Sequence, residues 1–266
     1  MRKCAVSGQF YPARKQVLMQ ELEDFFSDMK MLHDKSVKGI VVPHAGYVYS
    51  GHTAAYGYAR IPVADTFILI GPNHTGYGQA VSVSVDTWDT PLGSVESDLE
   101  LIAALGGGVI SHDEDAHVYE HSLEVQLPFL KKVFSHDFKV VMICMGLQDK
   151  GVAAIVGNKI ADAILQTGRN TAIIASSDFS HYIDASTAKR IDLDIIDSIT
   201  NLDVDGMYRK LSAHNASMCG YGPVATMLIA SKKLGATEGK LLHYSNSGDV
   251  TGDMTAVVGY GAIAVS

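Results

Sequence analysis

The chain has 266 residues, is 47% apolar and carries a formal net charge of −8. That length and apolar content supply one large core, near the size where single cores stop growing, so a single domain over 1–266 is expected. No segment is strongly basic and no apolar run approaches the roughly 20 residues of a membrane helix, so neither nucleic acid nor a bilayer is an expected partner.

At the start, Met1-Arg2-Lys3-Cys4-Ala5-Val6 is interrupted by Ser7-Gly8-Gln9 before an apolar run develops, so no signal peptide is expected and the location reads as cytoplasmic. Val17 to Met31 carries an apolar stripe at i, i+3/i+4 and predicts a core-facing helix. Lys38 to Val42 reads as a short buried strand closed by Pro43-His44-Ala45-Gly46, and Thr66 to Ile70 as another, ending in Gly71-Pro72-Asn73-His74. Ala80 to Asp86 alternates serine with valine, the pattern of a half-exposed strand. Ser97 with Glu100 predicts a capping box on a helix to Leu105, stopped by Gly106-Gly107-Gly108. Asp113 to Phe134 predicts an amphipathic helix bent or restarted at Pro128. Strands follow at Lys139 to Met145 and Thr171 to Ala175, with a helix over Val152 to Leu165 between them. Helices over Ala185 to Ile199, Val204 to Leu211 and Val224 to Leu234 precede final strands at Leu241 to Tyr244 and Ala256 to Val265. Strands alternating with helices predict an α/β fold: a mixed, largely parallel sheet with helices on both faces.

Three imidazoles sit just past strands: His44, His74 and His181, the last in Ser176-Ser177-Asp178-Phe179-Ser180-His181. In open α/β sheets the loops at the carboxyl ends of the strands converge on the ligand crevice, so residues distant in sequence meet there. Taken singly each is as well explained as a loop histidine; together they suggest one pocket. Neutral imidazole is both a common ligand for transition metals and a group that exchanges protons near neutral pH. Asp178 either orients His181 or caps the backbone of Ser180. Among the three cysteines, Cys4, Cys144 and Cys219, there is no CxxC pair, which argues against a disulfide framework. Cys144 reads as core. Cys219, before an apolar helix, reads as nucleophile, ligand or buried filler, and a position near a helix start would favour its thiolate. His117 and His121 have i, i+4 spacing, yet the HExxH protease pattern is missing. Glu120, His121 and Glu124 read either as pocket-lining groups or as a solvated helix end.

Pro43-His44-Ala45-Gly46-Tyr47, Gly71-Pro72-Asn73-His74, Glu120-His121-Ser122-Leu123-Glu124-Val125-Gln126-Leu127-Pro128-Phe129, Ser176 to His181 and Cys219-Gly220 together resemble the Memo family, nearly end to end. Memo proteins are similar in fold to class III extradiol dioxygenases of the protocatechuate type, whose corresponding pocket holds non-haem iron. The resemblance implies that His44, His74 and Cys219 are metal ligands, that His181 is the acid/base with Asp178 beside it, and that Tyr47, Asn73, Glu120 and His121 line the pocket. It implies Fe(II) as the metal, with Cu(I) or Zn²⁺ as alternatives, because a thiolate stands where the dioxygenases have a carboxylate.

Three functions follow as expectations. One is a non-haem iron oxidoreductase in which His181 moves a proton. Another is a hydrolase or transferase using Zn²⁺-bound water or a Cys219 nucleophile. The third is non-enzymatic metal handling or an adaptor role, since the family resemblance also implies links to signalling in eukaryotes and to a radical-SAM protein and a small partner in prokaryotes.

Overall fold

The apolar runs of the sequence become one sheet of ten strands in the computed structural model, which describes residues 1–266. In chain order these are β1 (Gly39–Val42), β2 (Thr66–Pro72), β3 (Val81–Ser84), β4 (Glu96–Ser97), β5 (Ser111–His112), β6 (Lys139–Met145), β7 (Thr171–Ser176), β8 (His181–Ile183), β9 (Gly239–Asn246) and β10 (Val257–Val265). In space they run β5-β3-β6-β2-β7-β1-β10-β8, with β4 also on β6 and β9 on β10. The middle four, β6-β2-β7-β1, are mutually parallel, while β3 and β10 pair with them antiparallel. No helix is long and apolar enough to cross a membrane.

The helices are α1 (Lys15–Phe26), α2 (Tyr47–Tyr58), α3 (Leu99–Leu105), α4 (Leu127–Val133), α5 (Lys150–Thr167), α6 (Ala185–Thr200), α7 (Val204–His214), α8 (Tyr221–Lys233) and α9 (Gly248–Thr251). Alternation along the strands divides the core between the two faces of the sheet. Val41, Ile68, Ile70, Val141, Ile143, Ile173 and Ala175 pack with α3, α5, α6, α7 and α8, through residues such as Val156, Ile195, Met207 and Val224. Ile40, Val42, Phe67, Leu69, Met142 and Ile174 pack instead with α1, α2 and α4, through Leu18, Leu22, Tyr58 and Phe129. With both faces covered, the central strands are apolar at nearly every position, which is why they read as continuous runs.

Four local expectations are corrected. The Ala80 to Asp86 alternation is not a half-exposed strand: β3 is fully buried. Its serines face polar partners rather than water, Ser84 Oγ donating to Glu114 Oε2 at 2.7 Å and accepting from Trp88 Nε1 at 3.1 Å. The first helix ends at Phe26, where Ser27 Oγ donates to the Asp24 carbonyl at 2.8 Å, and does not run to Met31. Asp98, not Ser97, caps α3, accepting from the Leu101 amide at 3.1 Å, while Ser97 lies in β4. Asp113 to Phe134 is not one helix. It is irregular to a single 3₁₀ turn, Glu124–Gln126, and Pro128 lies in the first turn of α4, where its missing N–H costs nothing.

Candidate metal centre

Because β1 and β7 are parallel, with Val42 opposite Ser176, their carboxyl ends deliver His44 and Asp178 side by side. The His44 amide donates to Asp178 Oδ1 at 2.8 Å, tying the two loops together. His44 is buried, and its ring Nδ1 lies 2.8 Å from Ser176 Oγ. That hydroxyl donates its own proton to the Ser122 carbonyl at 2.7 Å and accepts from Gln126 Nε2 at 2.9 Å. Since the serine has only one proton to give, His44 Nδ1 must be the donor. The proton therefore sits on Nδ1, and the Nε2 lone pair is left for the pocket.

His74, in the loop after β2, is oriented by a carboxylate. Its Nδ1 donates to Glu120 Oε1 at 2.9 Å, the arrangement that fixes the tautomer of ligating histidines and frees Nε2. Glu120 is wholly buried and accepts from four groups in all: the His74 amide, the His74 ring, and the amides of His121 at 2.9 Å and Ser122 at 2.8 Å. Burial acts to raise its pKa, but the His74 hydrogen bond, the charges of His74 and His121 and the Ser122 amide outweigh it and hold it at about 2. His121 Nδ1 is 3.3 Å from the same carboxylate. Gly71 permits this approach, because a Cβ there would lie 2.5 Å from Ser122 Oγ.

One donor atom from each of His44, His74 and His121 lies within 4.8 Å of the other two. The rings pack at 5.1 Å (His44 and His74), 5.4 Å (His44 and His121) and 4.6 Å (His74 and His121). Burial, with the neighbouring His121, His74 and His181, holds His44 well below the ordinary imidazole pKa. His121 falls to about 4, also chiefly through burial. Both are therefore neutral near pH 7, the form that binds metal. Cys219 is not part of that triangle, but its Sγ is 3.1 Å from His44 Nε2 and accepts from the Asp178 amide at 3.3 Å. Gly220 brings this loop in; any side chain there would meet the Ser176 carbonyl and Ser177. The expected thiolate is corrected: burial, then the Asp178 carboxylate, push the Cys219 thiol well up.

A cleft of 610 Å³ opens on these groups, lined by His44, His74, His121, Asp178 and His181 together with Phe10, Tyr49, Tyr182 and Tyr260. His181 begins β8, its amide donating to Ser217 Oγ at 2.8 Å, and its Nδ1 is buried with no hydrogen-bond partner. Asp178 does not cap Ser180, whose amide goes to Asp192 Oδ1 at 3.1 Å. Burial raises Asp178 to about 6, against the opposing pull of the His44 amide and of the His181 and His74 charges. Three residues named from the sequence stand outside the lining. Glu120 is behind the histidines. Asn73 organises its own loop, accepting from the Thr75 amide at 3.0 Å and the Gly76 amide at 2.9 Å. Tyr47 is buried beside Phe129, its hydroxyl donating to the Val125 carbonyl at 2.6 Å. Glu124 is likewise buried rather than solvated, accepting from Ala5, Tyr11 and Arg2. Ser176, Gln126 and Arg2 escaped sequence reading, because no spacing links a serine that ends one strand to a histidine after another.

A family model described as Memo-like protein matches residues 2–264. A MEMO1 family protein of Methanosarcina barkeri is 55% identical over 265 residues, covering 100% of each chain. One from Archaeoglobus fulgidus is 47% identical, covering 99% of this chain and 98% of its own. One from Nitrosopumilus maritimus is 42% identical, also covering 99% of this chain and 98% of its own. In fold, the chain is similar to the crystal structure of an uncharacterized protein of Escherichia coli K12, with a TM-score of 0.58, 13% identity, and coverage of 86% of this chain and 100% of that one.

Proposed function

We propose that this chain, which belongs to the Memo family, is a metal-dependent oxidoreductase that holds Fe(II) on His44, His74 and His121, with Cys219 as an adjacent fourth donor. The observation that carries the reading is the convergence of three imidazole donors within 4.8 Å. Two of them have Nδ1 engaged, one on a serine and one on a buried carboxylate, which leaves the Nε2 lone pair of each as the donor, that of His44 facing Cys219 Sγ at 3.1 Å. Imidazoles with such backing suit Fe(II), Zn²⁺ and copper. When bound, iron would supply Lewis acidity and one-electron chemistry toward O₂ or a substrate oxygen.

The chain's own groups would do the rest. His181, in the cleft lining, takes or returns a proton at its imidazole. Asp178, raised to about 6 chiefly by burial, lies in the same lining. Phe10, Tyr49 and Tyr260 supply aromatic surface in the same cleft. A Cys219 nucleophile is the weaker alternative, because burial and Asp178 oppose the thiolate.

A second reading, metal handling without turnover, draws on one observation: the Cys219 sulfur 3.1 Å from His44 Nε2. A thiol beside imidazoles is a donor set that favours Cu(I). Loading metal-free protein with Fe(II) or Cu(I) without air separates the two readings. The oxidoreductase reading expects tight Fe(II) binding that survives Cys219→Ala and O₂ uptake that depends on His181. Binding of Cu(I) alone, lost in Cys219→Ala, would replace it with the handling reading.

A further inference from the structure

The irregular stretch from Asp113 to Leu123 carries Glu120 and His121 but has no helix or strand to fix it. Beside the bonds that Ser84, Val85, Pro72 and His74 make to it, part of what holds it comes from the start of the chain. Arg2 is buried, 5% exposed, and its guanidinium reaches across 118 positions to donate from Nη2 to the Glu120 carbonyl at 2.7 Å. Its Nε donates to the His117 carbonyl at 3.0 Å, and Nη1 to the Lys3 carbonyl at 3.1 Å and to Glu124. The cation also lies over the Trp88 ring, 4.3 Å from its centroid. Four of the five N–H donors of a guanidinium are thus committed in fixed directions, two of them to carbonyls of this stretch, one to Glu124 just past it and one to Lys3.

Glu124, the charge partner, is fully buried and accepts from the Ala5 amide at 2.7 Å, the Val6 amide at 3.1 Å and the Tyr11 hydroxyl at 2.6 Å. The segments 2–11 and 117–124 are therefore anchored to each other through the buried side chains of Arg2, Tyr11 and Glu124. The same Glu120 whose main chain Arg2 grips uses its carboxylate to orient the His74 ring and the His121 amide.

We infer that Arg2 is a positioning residue for the metal centre, setting where Glu120, and through it His74 and His121, sit. The inference rests on the metal-binding reading above. A planar fork is required for it: a lysine at position 2 keeps a charge beside Glu124, but its three donors share one nitrogen and cannot reproduce the separate Nε and Nη2 bonds to the His117 and Glu120 carbonyls. An arginine with a purely structural role would lower stability without altering affinity or ligand geometry.

The test uses the full-length, metal-free protein titrated with Zn²⁺ by chelator competition, and with Co²⁺ for its ligand-field spectrum. Arg2→Met and Arg2→Lys are compared with the parent and with Val156→Ala, a core cavity on the far face of the sheet. Thermal unfolding of each metal-free variant is recorded alongside. The expected result is a loss of Zn²⁺ affinity of about 10- to 100-fold in Arg2→Met, the range for residues behind a ligand, with a smaller loss in Arg2→Lys and an altered Co²⁺ spectrum in both. Val156→Ala should lose stability and keep both affinity and spectrum. If Arg2→Met does not fold, Arg2→Lys decides. Parent-like affinity and spectrum in a folded Arg2 variant, or an equal affinity loss in Val156→Ala, would overturn the inference. Failure of the metal reading looks different: the parent binds neither ion, or His74→Ala binds both as well as the parent.

Discussion

Ser176→Ala removes a single oxygen from the floor of the site. In the parent, Ser176 Oγ accepts from His44 Nδ1 at 2.8 Å and Gln126 Nε2 at 2.9 Å, and donates to the Ser122 carbonyl at 2.7 Å. Without it, His44 Nδ1–H has no other partner in a buried setting. Gln126 Nε2 still reaches the Pro43 carbonyl at 3.0 Å, and the Ser122 carbonyl keeps a long contact with Gln126 at 3.4 Å. One orphaned buried donor and one weakened acceptor amount to about 2–4 kcal/mol of lost stability. More telling is the ring. Its tautomer is no longer set, so part of the population carries the proton on Nε2, where a metal would have to bind, and affinity should fall by about 10- to 100-fold. Urea unfolding of the metal-free protein reads the first effect, and Zn²⁺ competition titration at fixed pH the second. The reasoning fails if Ser176→Ala binds Zn²⁺ as the parent does, or if it loses affinity with no loss of stability.

Three further outcomes are expected. His181→Ala should retain metal, since the ring lies outside the three-donor triangle, while any O₂-dependent turnover disappears; metal loss in a folded variant would move His181 into the ligand set. Metal-free stability should depend on pH through the depressed histidines. His121 has a folded pKa of about 4 against 6.5, so the unfolded chain protonates first, and stability present above pH 6.5 is lost as the pH falls toward 4. His44 acts in the same direction; a urea midpoint that rises on acidification through this window would contradict both. Gly220→Ala places a Cβ 2.6 Å from Ser177 Cβ and against the Ser176 carbonyl. It should cost about 1–3 kcal/mol and, by pushing Cys219 off His44, speed its reaction with iodoacetamide; unchanged labelling would refute that geometry.

The parallel core was legible because strands covered on both faces are apolar throughout, as Ile40 to Val42 and Phe67 to Ile70 are. Where polar residues find buried partners the same logic misleads. Ser82 and Ser84 looked solvent-facing, yet Ser84 serves Glu114 and Trp88. Asp113 to Phe134 has helical periodicity, but Glu120 draws the amides of His74, His121 and Ser122 onto its carboxylate, and those bonds compete with a helix. His44, His74 and His181 could be placed at one edge because strand ends announce themselves. His121 as the third imidazole could not be derived that way, since it is brought in by a loop one of whose anchors, Arg2, is 118 positions away from Glu120 in sequence. The thiol state of Cys219 depends on burial and on Asp178, neither of which a helix-start argument contains.

Metal analysis of protein purified without air, alongside His74→Ala prepared identically, tests the central claim most directly. Stoichiometric metal, chiefly iron, in the parent and its loss from the variant are the predicted results. A parent free of transition metal that also refuses added Fe(II), or a variant that keeps its metal in full, would contradict the account.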